Sequence, residues 1–119
     1  VGDRALVIFH DKAKKDYSPV VYLHWHGSDV GNLLKQLKAL MAGRLDDVAY
    51  TVARFVGLAH EAIPGNLSVG IFEKHKDFLD QPEYLADFSH GDAGVFMVDA
   101  SDFSCRCYGG YGLTEEAAA

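Results

Sequence analysis

The sequence has little cysteine, proline, methionine or tryptophan: two, three, two and one in 119 residues. The two cysteines, Cys105 and Cys107, stand one residue apart. That is too close in sequence for an ordinary structural disulfide across a strand, so residence in the cytoplasm is the simpler reading. No apolar run reaches membrane-spanning length, and no basic-apolar-small leader pattern opens the chain, so no membrane partner is expected. Basic residues are also in short supply, with 11 Lys and Arg against 17 Asp and Glu, a net charge of -6 and a pI near 5.3. Without a basic block to offset phosphate charge, direct binding of nucleic acid is disfavoured. Internal repeats, linkers and low-complexity tracts are lacking too.

What remains is a globular balance: 49 % hydrophobic and 24 % charged residues. A chain of this length makes one compact domain, 1–119, with 113–119 expected to fray. The central stretch is Val20-Val21-Tyr22-Leu23-His24-Trp25-His26-Gly27. Read with a period of two, Val21, Leu23 and Trp25 form a core-facing set, while Tyr22, His24 and His26 form an amphipathic set on the other side. Gly27 and Ser28 end this strand, and Ser28 or Asp29 is placed to cap a helix.

Before it, Arg4 to Asp11 reads as a first strand with apolar groups on both faces, joined through the charged turn Lys12 to Pro19. A first helix is expected over Asp29 to Ala42, with Val30, Leu33, Leu34, Leu37, Leu40 and Met41 on one stripe and Gly43 as its stop. A second spans Asp46 to Ala62, capped by Asp46 or Asp47. Its apolar side is Val48, Val52, Phe55, Val56, Leu58 and Ala59, and Ile63-Pro64-Gly65 breaks it. Leu67 to Glu73 reads as a third strand with Leu67, Val69 and Ile71 on one face. Pro82 opens a short helix carrying Tyr84, Leu85 and Phe88. Gly94 to Asp99 and Phe103 to Tyr108 form a last hairpin. The expectation is an α+β fold, β-β-α-α-β-β-β: a mostly antiparallel sheet of about five strands with two amphipathic helices on one face. The sheet's other face is expected to be open, solvated or covered by a partner.

His24 and His26, at i and i+2, project to one strand face and are the candidate metal ligands. Cys105 and Cys107 share that spacing, which raises a Cys2His2 zinc site. Parity opposes it, because the cysteines share a face with Phe103 and the histidines with Tyr22. A looser site adds one of His10, His90 or Asp92 to the two histidines. Nucleophilic catalysis lacks its signatures, and Ser89-His90-Gly91-Asp92 reads as a polar turn. Gly109-Gly110-Tyr111-Gly112 matches neither a P-loop nor a dinucleotide fingerprint and reads as a flexible end. Asp77, Asp80 and Asp87 read as solvated charges. No catalytic residue is therefore named and no cofactor is expected, zinc on His24 and His26 being the alternative. As a surface, Tyr22, His24, His26, Arg106 and Tyr108 share one side of the sheet, and Tyr and Arg are enriched at the energetic centres of protein interfaces.

The strand Tyr22-Leu23-His24-Trp25-His26-Gly27, entering a helix, resembles a motif of small uncharacterised phage and mobile-element proteins, Tyr-x-His-Trp-Asp-Gly followed by Tyr-Pro. Here His26 stands in place of the Asp, and Ser28-Asp29 in place of Tyr-Pro. The hairpin from Gly94-Val95-Phe96-Met97-Val98-Asp99 to Cys105-Arg106-Cys107-Tyr108 is similar to the one that ends many of them. The resemblance implies that Tyr22, His24 and Trp25 are shared family features. It also implies a small acidic accessory protein that binds a host or partner protein without catalysis. The competing expectation is a metal-dependent hydrolase centred on His24 and His26. A third is a homodimer formed through the open sheet face.

Overall fold

The computed structural model describes residues 4–11, 16–24, 27–45, 47–62, 64–65, 67–72 and 94–108, with the side chains of Asp16, Ser28, Phe72 and Tyr108 outside that description. The strands are β1 (Ala5–Asp11), β2 (Asp16–Tyr17), β3 (Val20–Leu23), β4 (Val69–Phe72), β5 (Gly94–Asp99) and β6 (Cys105–Tyr108). The helices are α1 (Val30–Leu40), preceded by a 3-10 turn at Gly27–Asp29, and α2 (Val48–Ala62). The α+β class and the expected element order are those of the structure. The short helix at Pro82, with Tyr84, Leu85 and Phe88, lies outside the described residues, as do the glycines at 109–112 and the tail 113–119.

Strand order in the sheet is β4-β3-β1-β5-β6, with the two-residue β2 also paired to β1. All pairs are antiparallel except β1 with β5, which run parallel in the register Ala5 to Gly94 through His10 to Asp99. The first hairpin carries one extra residue on its second arm. His10 pairs with Tyr17, whereas Val7 pairs with Val21, so Ser18 and Pro19 together oppose Phe9. This is a β-bulge, one of the few places in a sheet that tolerates proline. The Ser18 hydroxyl oxygen accepts the Phe9 N–H at 2.9 Å, and the Ser18 N–H donates to the Phe9 carbonyl at 2.7 Å. The bulge keeps the strand's phase such that Tyr17, Val20 and Tyr22 all meet the same side of β1.

Helix ends follow local chemistry. Asp47 caps α2: its Oδ1 accepts the Tyr50 N–H at 3.2 Å, and its carbonyl accepts the Thr51 N–H and hydroxyl at 2.9 and 2.6 Å. Such a cap satisfies donors that the first helical turn leaves unpaired. Asp29 occupies the corresponding position of α1 but makes no side-chain cap bond, and the 3-10 turn supplies the entry instead. α1 ends at Leu40, ahead of Gly43, with the Met41 N–H bonded to the Leu37 carbonyl at 2.9 Å. Gly65 closes the α2 exit at φ +80°, a backbone region that side chains disfavour.

Both helices lie on one face of the sheet. Val30, Leu33, Leu34, Leu37 and Met41 of α1 and Val48, Phe55, Leu58 and Ala59 of α2 pack on Ala5, Val7, Phe9, Val21, Leu23, Phe96, Val98 and Phe103. Two expected core members behave otherwise. Leu40 lies at the end of its helix and is exposed, and Leu67 falls before β4 begins and is 99 % exposed. The sheet's second face is not open over its centre. Leu6, Ile8, Val20, Val95 and Met97 form a separate buried cluster there, with Tyr17 and Tyr22 packed against it. The expectation of one open face is therefore corrected: the central strands β1 and β5 are buried on both sides within a single chain.

Candidate partner-binding surface

Tyr22 sits in β3 opposite Leu6 on one side and Gly70 on the other. Its ring leans on the second-face cluster and is half-buried, as suits a side chain with an apolar body and a polar tip. His24 follows one residue after β3, at a bend, where its N–H donates to the Ser68 carbonyl at 2.9 Å and extends the pairing toward β4. Tyr22 Oη and His24 Nδ1 stand 2.8 Å apart, with ring centroids separated by 6.0 Å. The i, i+2 spacing thus joins phenol to imidazole. With the phenol as donor, Nε2 carries the ring proton. With Nδ1–H as donor, Nε2 is the acceptor or ligating nitrogen. Beside this pair, a Cβ built on Gly70 would meet nothing within 4 Å among the described residues, so they leave space next to Tyr22 at the neighbouring position of β4. Ile71 of the same strand, 56 % exposed, pairs with Val21 and so belongs to the helix side of the sheet.

Arg106 is exposed on β6, opposite Met97, and the backbone of Tyr108 pairs with Val95. Parity therefore places Arg106 on the Tyr22 side of the sheet, as expected. Strand order separates them: β3 and β6 lie three strand spacings apart, roughly 14 Å. The interval is filled by Leu6, Ile8, Val95 and Met97, all buried. Tyr22 and His24 form one group, and Arg106 belongs to another. His26 and Trp25 lie outside the described residues, as does the Tyr108 side chain.

Metal-ligand arrangements are constrained by the same register. Cys105 and Cys107 pair with Val98 and Phe96 and pack against the helix-side cluster, the face opposite Tyr22. The Cys2His2 site is thereby split across the sheet. Burial, with a smaller contribution from Cys107, pushes the Cys105 thiol up to about 12. His10 cannot join His24 either. Leu23 pairs with Ala5, and His10 lies five residues farther along β1, about 17 Å away. His90 and Asp92 lie outside the described residues, as do Ser89, Asp77, Asp80 and Asp87. Among the described residues, no three His, Cys, Asp or Glu side chains gather as a metal centre would require.

The pairing of His10, a candidate ligand above, with Asp99 was not foreseen from the sequence. His10 and Asp99 are register partners at the carboxyl ends of the parallel pair β1 and β5, and both are buried. The His10 ring stacks on Tyr17 at 6.0 Å, and Asp99 Oδ1 accepts the Ser101 N–H and hydroxyl at 2.9 and 2.6 Å. Asp99 thereby organises the β5–β6 turn. The available signal was two apolar strands each ending in a polar residue, Phe9-His10-Asp11 and Met97-Val98-Asp99.

No family model, curated protein or solved structure matches the chain. Among the described residues, no helix is long and apolar enough to cross a membrane.

Proposed function

We propose that this chain works by binding a partner protein, without catalysis and without a cofactor, through the β3–β4 side of its sheet. The observation that carries this reading is the hydrogen-bonded Tyr22–His24 pair beside the space over Gly70. A tyrosine fixed by a hydrogen bond offers a large amphipathic contact whose rotamer entropy is already spent, which lowers the cost of association. Arg106 then serves as a distant rim contact. His26 and Tyr108 remain part of the proposed surface by sequence pattern. In the terms of the phage-protein resemblance, the protein is an acidic accessory factor of the cytoplasm, and its partner is a host protein.

The test is comparative capture. Immobilised wild-type chain and the variants Tyr22→Ser, His24→Ala, Gly70→Lys and Arg54→Ala are exposed to host extract, after circular dichroism shows each to be folded. A protein retained by wild type and Arg54→Ala but lost from the first three supports the reading. Identical capture profiles for all five proteins would overturn it.

A second reading has one observation in its favour. An oxygen partner on Nδ1 is the usual way a metal-ligating imidazole is oriented, and Tyr22 supplies such a partner to His24. A zinc-dependent hydrolase at His24 and His26 would retain about one equivalent of metal by elemental analysis, lost in the His24→Ala/His26→Ala variant. Metal-free protein on purification without chelator would end that reading.

A further inference from the structure

The two cysteines lie on β6, one residue apart, with both side chains on the helix side of the sheet. Both are thiols and both are half-buried, so each keeps one flank toward solvent while the other rests on the core that includes Phe96, Val98 and Phe103. Successive same-face positions on a strand are about 6.7 Å apart. A disulfide needs its Cβ atoms within roughly 3.5–4.5 Å, so this strand cannot close one without losing its pairing to β5. A linear ion held by two sulfurs needs them about 4.6 Å apart, taking a metal–sulfur bond of about 2.3 Å. Two side chains rising side by side and leaning toward each other reach that separation without moving the backbone.

Soft thiolate pairs select soft, closed-shell cations, and copper(I) is content with two ligands where zinc asks for four. Here the described residues offer two sulfurs and no third donor of the usual kinds. We propose that Cys105 and Cys107 form a two-thiolate site for a monovalent, thiophilic cation of the copper(I) class at the edge of the helix-side core. Binding breaks two S–H bonds and forms two metal–sulfur bonds. Both protons pass to solvent, and the metal stays in the +1 state throughout. The inference does not rest on the partner-binding reading, since it uses the opposite face of the sheet.

The probe is copper(I) itself, added anaerobically to the reduced full-length chain in competition with bicinchoninate. The expected result is one copper(I) retained per chain, with affinity rising as pH rises, because two protons leave for each ion bound. Cys105→Ser and Cys107→Ser each weaken binding at least 100-fold, and His24→Ala leaves it unchanged. X-ray absorption on the loaded wild-type chain, which needs no variant to fold, shows two sulfur neighbours. Complete loss of copper to the chelator would overturn the proposal. So would two ions per chain, a serine variant as tight as wild type, or nitrogen neighbours at the metal.

Discussion

The two faces of the central strands solve the same burial problem with different residues. On the helix side, Phe9 of β1 meets Phe55 of α2 edge-to-face, with centroids 5.4 Å apart and planes at 63°, in a cluster that also contains Phe96 and Phe103. On the other side the buried centre is aliphatic, Leu6, Ile8, Val20 and Val95 with Met97, and the aromatic residues stand at its rim. Rim position lets each phenol bury its ring while keeping a polar neighbour: Tyr17 stacks on His10, and Tyr22 bonds His24. Both described Tyr–His ring contacts thus lie around the smaller cluster.

That contrast can be broken by substitution. Phe55→Ala removes a fully buried ring and its aromatic partner, and is expected to cost about 3–5 kcal/mol in urea unfolding. Ile8→Ala, equally buried on the other face, is expected to cost about 2–4 kcal/mol. A loss below ~0.5 kcal/mol, the scale of a surface change, would mean that the second face is covered without being packed. Ser18→Ala leaves the buried Phe9 N–H without its hydroxyl acceptor and is expected to cost about 1–3 kcal/mol. It sharpens the comparison by testing the bulge that sends Tyr17 and Tyr22 to the same rim.

Smaller effects lie at the periphery. Gly57 sits under the Arg54 side chain, which reaches along α2 to Glu61 at 3.3 Å. A Cβ there would touch the guanidinium, but that group is exposed and free to swing. The helix gains about 0.5–1 kcal/mol of propensity against an exposed ion pair of little worth. Gly57→Ala is therefore expected to raise Tm by a few degrees. At alkaline pH, the Cys105 pKa is raised in the folded state, from 9.0 to about 12. Its contribution to stability is complete below pH 9 and is lost as pH rises toward 12, because the unfolded thiol ionises first. Cys105→Ser is expected to flatten that alkaline slope in denaturation measured across pH 8–11.

Much of this was legible in residue order. Period two separated Val21 and Leu23 from Tyr22 and His24, and it placed both cysteines with Phe103, because side-chain alternation is fixed by a strand's own backbone. Period 3.6 found both helical faces, apart from Leu40, where the helix ends and the stripe runs past the core. The apolar run Leu6-Val7-Ile8-Phe9 already read as two-faced, the mark of a central strand. Partner choice was not legible. Nothing local to Gly94–Asp99 says that it will lie parallel to β1, and that pairing is what puts two strands between Tyr22 and Arg106. The extra residue at Ser18 and Pro19 was hidden for a related reason, since a bulge is defined by the strand opposite.

The late arrival of β5 has a consequence during synthesis. One edge of β1 is completed only by residues 94–99, more than eighty positions after β1 itself ends. At the ribosome's pace of ~5–20 residues per second, that edge waits on the order of 4–17 s for its native neighbour. Throughout that interval the nascent chain displays Ala5-Leu6-Val7-Ile8-Phe9, an uncharged β-prone segment of the sort that recruits other chains. The cellular yield of this protein is thus expected to respond to translation speed between residues 12 and 94, even for synonymous changes that leave the finished fold untouched.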